Sequence, residues 1–412
     1  MISPPPVARQ PPFRQRVPAA VALSPPERPA RSRVDFLDHW RGIAVLSVFI
    51  YHCFGAAFGR FHPEWHHWLP DWHVPTSFIV LFPATWGWAG VSIFFVISGF
   101  CIHLSFHKNP SLRVFYYVRI FRIYPPYLAA LLFFAFIYPF SRLPMHSVAG
   151  AEQLISHIFL VHNFNSAWTY SVTPSFWTIA VEAQLYLLYP VLLALANRIG
   201  WRNALLVAAT IEFSLRLIAT AIFLSSNTYP PEWIASAPFT YWYSWGVGAA
   251  IAAAYVEREN LPFVKYPPAL FASLGLICVM IKPLFLMAFP MIAIATAAVI
   301  SRSLERGGRS LPALPNFCRE HLRQTGVWSY SIYLLHQPFL LAVGWLIYEI
   351  HIVGSAHPVK IFLLCLGGWI PTVAIASLFF RFCERPSIEL GKIAVNLRSS
   401  LPRLALPTVM PE

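Results

Sequence analysis

Long apolar runs separated by short polar segments dominate the chain, and the length of those runs sets the fold class. Ten of them can be drawn, at about 38–58, 86–106, 122–141, 175–197, 204–224, 238–256, 267–283, 285–301, 328–350 and 359–382. Each approaches what a helix needs to cross a hydrocarbon layer ~30 Å thick, roughly 17–25 residues at a rise of ~1.5 Å each. An eleventh run near 153–164, "QLISHIFLVHNF", is too short to cross alone. It reads as a re-entrant or interfacial piece, or as a helix folded into the bundle. The expected fold is all-α: a polytopic membrane helical bundle of about ten transmembrane helices.

The polar positions give the bundle a direction. With the N-terminus inside, the outer loops carry only Arg60, Arg142, Lys282 and Lys360, and Arg216 lies within a span. The remaining Lys and Arg all fall on the inner side, which predicts N-in, C-in. Counting 153–164 as a crossing would move "NRIGWRN" outside and spoil that asymmetry. Residues 1–33 hold nine prolines, six arginines and almost no acid. Without an apolar core of their own they read as a disordered basic cytoplasmic tail, not a cleaved signal peptide. The membrane bundle then covers 34–390, and 391–412 form a cytoplasmic C-terminal tail. The longest connecting segments, 59–85 and 302–327, are too short for a soluble domain. Any chemistry therefore belongs to the bundle.

Composition supports the membrane reading and removes a competitor. Of 412 residues, 57% are hydrophobic and 11% charged, where a soluble chain would have roughly a quarter charged. The 34 Phe, 17 Tyr and 15 Trp suit bilayer interfaces. A formal charge of +13 would suit nucleic acid. The basic residues, however, lie between spans and not on one continuous face, so membrane lipid is the expected partner and nucleic acid is not. The six cysteines have neither metal-ligand spacing nor a disulfide pattern and read as small packing residues. No phosphate loop, dinucleotide fingerprint or nucleophile elbow is present.

Candidate chemistry begins in the first span, "LDHWRGIAVLSVFIYH". Arg41 and His52 are eleven residues apart, which on a helix is about 16 Å and returns to within ~20° of the same direction. Asp38 lies one turn below Arg41. An imidazole at mid-bilayer depth is costly and normally faces a bundle interior or a cavity. Neutral His52 could accept a proton from an attacking hydroxyl near neutral pH. On the second span, "GVSIFFVISGF" places Ser98 and Gly99 at mid-bilayer, where small residues also serve close helix approach. In "FYYVRIFRIYPPY", Arg119 and Arg122 sit three apart at a helix start. They could clamp a phosphate or simply anchor the inner face.

"SFWTIAVEAQLYLLYP" puts Glu182 in apolar surroundings, where a carboxylate needs a partner. Arg216 could supply it, although Glu212 is Arg216's own neighbour one turn away and competes. "SYSIYLLHQP" brings His336, with Tyr330 and Tyr333, either as packing groups or as site residues. The loop histidines His62, His66, His67 and His73 stand among tryptophans and read as an interfacial belt, so no metal site is expected.

Taken in order, these segments and the late "CERP" at Cys383–Pro386 resemble the acyltransferase family 3 of integral-membrane O-acyltransferases, over about 35–390. The resemblance implies a bacterial inner-membrane, multi-pass enzyme that takes an acyl group, usually acetyl, from cytoplasmic acyl-CoA. It would pass that group to a hydroxyl of a carbohydrate or glycolipid acceptor, such as a surface polysaccharide or its lipid-linked precursor. No permanently bound cofactor is implied; acyl-CoA is the donor substrate. On this resemblance His52 is catalytic with Arg41 and Glu182, and Arg119 and Arg122 bind the donor. Asp38, Ser98, Tyr330 and His336 support them. Two departures stand out: Ala183, where a second acidic residue is frequent, and Leu335, where Trp is frequent. No periplasmic hydrolase-like domain is seen, which leaves open direct transfer or handover to a separate periplasmic protein. The competing class is a proton-coupled or glycolipid transporter that uses His52, Glu182 and His336 as a relay. A non-catalytic subunit retaining the fold is a third.

Overall fold

A computed structural model describes residues 34–58, 84–137, 143–144, 147–308, 314–349 and 358–400. The described residues contain helices and turns but no strand. In chain order the α-helices are α1 (Phe36–Phe58), α2 (Ala89–Lys108), α3 (Leu112–Phe136), α4 (Val148–Ile158), α5 (Ser166–Thr169), α6 (Phe176–Ser226), α7 (Glu232–Ala235) and α8 (Trp242–Glu257). They continue with α9 (Pro268–Met280), α10 (Ala288–Glu305), α11 (Asn316–Val327), α12 (Ser329–Glu349), α13 (Pro358–Gly367), α14 (Trp369–Phe379) and α15 (Arg385–Ser400). Five helical stretches among the described residues are long and apolar enough to cross a membrane: 84–108, 112–136, 176–226, 283–305 and 362–395. Leu187, Leu217, Ile370 and Phe382 are 61–76% exposed, as lipid-facing side chains are. Trp245, Tyr127, Tyr189 and Phe100 are fully buried at the centre. The protein is an all-α membrane protein.

Two helices approach very closely and set the middle of the bundle. A Cβ on Gly248 of α8 would lie 1.9 Å from the carbonyl oxygen of Val96, and one on Gly99 of α2 would lie 2.1 Å from that of Trp245. Only glycine allows this backbone contact. Gly99 is thus the packing residue of the "SGF" step, which leaves Ser98 to point elsewhere.

The predicted spans at 175–197 and 204–224 join as α6. They are broken at Gly200, whose φ of 80° and ψ of 155° lie outside helical space and suit a residue without Cβ. The predicted span 122–141 begins at Leu112, ten residues earlier than read, because Ser111 caps that end by accepting from the Val114 N–H. Arg119 and Arg122 therefore sit about two to three turns inside α3 and not at its start. The helix continues through Pro125 and Pro126. Pro125 cannot donate to the Phe121 carbonyl, and the Ser387 hydroxyl of α15 donates to that oxygen instead.

The short run near 153–164 forms α4, then turns at Leu160 (φ 55°) into a 3₁₀ segment at His162–Phe164. It is folded into the bundle. Asn163 and Gln184 exchange amide hydrogen bonds of 3.0 and 2.7 Å, and Tyr127 donates to the His157 carbonyl at 3.0 Å. The predicted span 359–382 comprises α13 and α14, followed by a π-helical turn at Phe380–Glu384. The stretch 391–400, read as tail, is helical as part of α15. Residues 1–33 and 401–412, Arg60, Arg142 and the loop histidines His62, His66, His67 and His73 lie outside the described residues.

Candidate active site

Two cavities open between the helices. One, of about 100 Å³, is lined by Arg41, Ser98, Arg119, Arg122, Glu182 and Tyr330 among others. The other, of about 420 Å³, is lined by His52 with Trp88 just before α2, Trp177 of α6, and Tyr241 and Phe285 of the 3₁₀ turns before α8 and α10. Val91 of α2 and Tyr333 of α12 line both. The Tyr333 hydroxyl shares a 2.7 Å hydrogen bond with Thr178 Oγ1. Tyr333 and Val91 therefore form the partition between an arginine cavity and a histidine cavity.

Helix α1 serves both. Arg41 and His52 each face the interior, as their spacing predicts, but they do not meet in one cavity. Arg41 and Glu182 line the arginine cavity; His52 lines the other. Eleven residues of helix are about 16 Å of axis, more than one small cavity spans.

In the arginine cavity, Asp38 Oδ1 accepts from Arg41 Nη1 at 2.6 Å, so the expected alignment of these two is realised. Arg41 Nη2 also donates to Cys101 Sγ at 3.1 Å. Glu182 does not pair with Arg216. Its Oε1 accepts from Ser98 Oγ at 2.6 Å and from the Tyr186 hydroxyl at 2.7 Å, and Trp245 Nε1 donates to Ser98 at 3.3 Å. Arg216 is taken by Glu212, at 3.0 Å, on its own helix one turn away. The i,i+4 neighbour wins because it is already positioned by the helix. Arg119 is buried, lies over the Tyr186 ring at 6.0 Å, and has an Nε–H without a partner among the described residues. Arg122 is half-buried beside it. Tyr330 donates to the Ile123 carbonyl at 2.8 Å and so ties α12 to the arginine-bearing stretch of α3.

His336 makes the contact that sequence alone left undecided. Its Nδ1 lies 2.8 Å from the Tyr333 carbonyl oxygen, and its Nε2 lies 2.8 Å from His52 Nδ1. A carbonyl only accepts, so Nδ1 of His336 carries the proton. In the neutral ring its Nε2 is then an acceptor. That lone pair takes the Nδ1–H of His52, which places the lone pair of His52 on Nε2. A carbonyl, one imidazole and a second imidazole thus form a chain that fixes the tautomer of the last. The two rings are 4.8 Å apart, and Phe49 packs 6.5 Å from His336.

The structure brings Arg41, with Asp38 paired to it, and Ser98, Arg119, Arg122, Glu182 and Tyr330 to one cavity, and pairs His52 with His336 at the other. Sequence reasoning missed Val91 of the partition, Thr178 that binds the Tyr333 hydroxyl, and the cavity-lining Gln337. Gln337 was signalled only as a polar residue beside His336 in an apolar run.

Known proteins resemble this chain over most of its length. A family model described as an acyltransferase domain matches residues 34–381. A putative peptidoglycan O-acetyltransferase of Bacillus subtilis is 26% identical, over 85% of this chain and 54% of that protein. A peptidoglycan O-acetyltransferase of Listeria monocytogenes is 23% identical, over 89% of this chain and 57% of its own length. Nodulation protein 10 of Rhizobium leguminosarum is 25% identical, over 76% of this chain and 85% of that protein. The chain spans little more than half the length of the first two relatives. No solved structure matches it. Because the family model takes in all but the two ends and every site residue named above, the chain belongs to the Acyl_transf_3 family of acyltransferases.

Proposed function

We propose that the protein is an O-acetyltransferase of the bacterial inner membrane, ten-spanning with both termini in the cytoplasm. It takes acetyl from cytoplasmic acetyl-CoA at the arginine cavity and delivers it to a carbohydrate hydroxyl in the histidine cavity. The observation that carries this reading is the oriented His336–His52 pair, 2.8 Å apart at a cavity wall. A general base must hold its lone pair toward the reacting hydroxyl. Arg119 and Arg122 suit the donor's phosphates, since guanidinium groups bind phosphate oxygens in pairs. Arg41 is held by Asp38 at the same cavity.

In the reaction, His52 Nε2 takes the proton of the acceptor hydroxyl as its oxygen attacks the thioester carbonyl at the partition. The new C–O bond forms, the C–S bond breaks, and the proton passes from His52 to the departing thiolate. Imidazolium on His52 keeps its Nδ1–H on His336, so the pairing survives the proton transfer. Glu182, held by Ser98 and Tyr186, offers its second oxygen to orient the donor. The relatives named as peptidoglycan O-acetyltransferases favour an acceptor of peptidoglycan or a related surface polysaccharide. A transporter relay through His52, Glu182 and His336 has less to support it, because Glu182 lines a different cavity from His52.

Purified protein in proteoliposomes, given acetyl-labelled acetyl-CoA and a series of glycosides and peptidoglycan fragments, tests the reading. Labelled ester should form, and His52→Ala should slow it by about 10²–10⁴-fold. Transfer by His52→Ala at the parent rate would overturn it.

A further inference from the structure

We infer that the histidine cavity is a binding site for a neutral saccharide, in which the Gln337 amide holds two adjacent oxygens of the acceptor beside His52. The inference rests on the acetyltransferase reading for its chemistry but on separate observations for its site.

Gln337 lines the cavity and is 1% exposed, yet neither its Nε2 nor its Oε1 has a hydrogen-bond partner among the described residues. A buried primary amide left unsatisfied at both atoms is costly, and native structures rarely tolerate one without a reason. A bound ligand supplies that reason. The residue follows His336 directly in α12, so it stands one position from the imidazole that orients His52. The amide offers a donor and an acceptor side by side. A vicinal diol, or a hydroxyl next to an acetamido or ring oxygen, returns one acceptor and one donor at the same spacing. An acyl chain returns neither, so a lipid tail would leave the amide as it is now.

The remaining walls agree. Trp88 and Trp177 line the cavity, with Phe289 stacked 6.4 Å behind the Trp88 ring. Aromatic faces carry partial negative charge, which complements the C–H face of a pyranose. The Trp88 Nε1–H also lacks a partner among the described residues, giving a second donor near the ring.

Charge disfavours an anion. Among the described lining residues the guanidinium is that of Arg216, and each of its nitrogens is engaged: Nε donates to Glu212, Nη1 to the Leu286 carbonyl at 2.7 Å, and Nη2 to the Thr240 carbonyl at 2.6 Å. Glu212 is fully buried and neutralises it. A phosphate would find neutral N–H donors here but no uncommitted cation among the described lining residues. A volume of about 420 Å³ lies within the range of small-molecule sites.

The test is a titration of the full-length protein in detergent with methyl β-N-acetylglucosaminide, chitobiose and methyl β-glucoside, read by tryptophan fluorescence and checked calorimetrically. The parent should show saturable binding of at least one probe. Gln337→Leu should weaken it about ten- to a hundredfold, the loss expected from a buried hydrogen-bonding pair. The same variant should keep or raise the melting temperature, because leucine removes an unpartnered amide. A merely structural Gln337 would lower it. Equal binding by parent and Gln337→Leu overturns the inference and leaves the acetyltransferase reading standing. Acetyl transfer without binding of any saccharide probe also overturns it. Saccharide binding that depends on Gln337, without acetyl transfer to any acceptor, upholds the site and overturns the acetyltransferase reading instead.

Discussion

Replacing His336 by Phe tests the imidazole chain directly, because it keeps a ring beside Phe49 while removing the acceptor for His52. The structure gives the size of the effect. One 2.8 Å hydrogen bond is lost, and the Nδ1–H of the half-buried His52 loses its acceptor. Such a group costs about 1–3 kcal/mol, which is about a 5- to 150-fold change in rate if it falls on the transition state. The lost tautomer preference adds to this, since His52 is then no longer obliged to carry its lone pair on Nε2. We expect kcat for acetyl transfer to fall about 100-fold, with the KM for acetyl-CoA unchanged, because Arg119 and Arg122 line the other cavity. His336→Gln can present an amide oxygen to the same Nδ1–H and should recover most of the loss. The assay is initial-rate transfer of label in proteoliposomes, with each single variant and the pair. If the two histidines act as one unit, His52→Ala/His336→Phe should be no slower than His52→Ala alone. A His336→Phe enzyme within about twofold of the parent, or losses that multiply in the double variant, would refute the relay.

Further perturbations separate donor binding, carboxylate positioning and packing. Arg119→Ala combined with Arg122→Ala should raise the KM for acetyl-CoA about tenfold or more while leaving saccharide binding intact, measured by donor titration. Ser98→Ala removes the 2.6 Å bond to Glu182 and should lower kcat by about five- to tenfold, a loss that a Glu182→Gln background should mask in rate assays. Gly248→Ala sets a methyl 1.9 Å from the Val96 carbonyl oxygen and should destabilise the protein by about 1–3 kcal/mol, seen as a lower melting temperature in detergent. Glu212→Ala would leave Arg216 charged, buried and half-satisfied, at a cost of about 3–5 kcal/mol, so reduced expression and melting temperature are expected.

What could be read from the chain was whatever a single helix determines. The interior-facing line of Asp38, Arg41 and His52 follows from ~100° per residue and needed no neighbour. The burial of Glu182 followed from its apolar flanks. Partners on other helices were a different matter. Glu182 looked as if it needed a cation, yet two hydroxyls serve it, from Ser98 on α2 and from Tyr186 one turn along α6 itself. His336 could not be told from a packing residue because its meaning lies in His52, 284 positions away. Gly99 and Ser98 carried opposite roles on adjacent positions, and only the approach of α8 distinguishes them. The start of α3 moved for a local reason, the Ser111 cap, which a hydropathy reading does not weigh.

The division into two cavities gives the eleven-residue spacing of Arg41 and His52 its physical sense. About 16 Å of rigid helix sets a fixed distance between the arginine and the histidine, whatever the surrounding loops do. The gap between them is closed by Val91 from α2 and Tyr333 from α12. Tyr333 is also the residue whose carbonyl orients His336, while its hydroxyl is bound to Thr178 on α6. One side chain therefore stands at the boundary through its ring, and its backbone begins the chain that sets the His52 tautomer. A movement of α12 that opened the partition would shift the Tyr333 carbonyl and the His336 ring together. The opening of the partition and the orientation of the His336–His52 pair are thus tied to one helix turn. On the proposed mechanism, such coupling would keep the donor thioester away from His52 until both are in place, and so protect it from water.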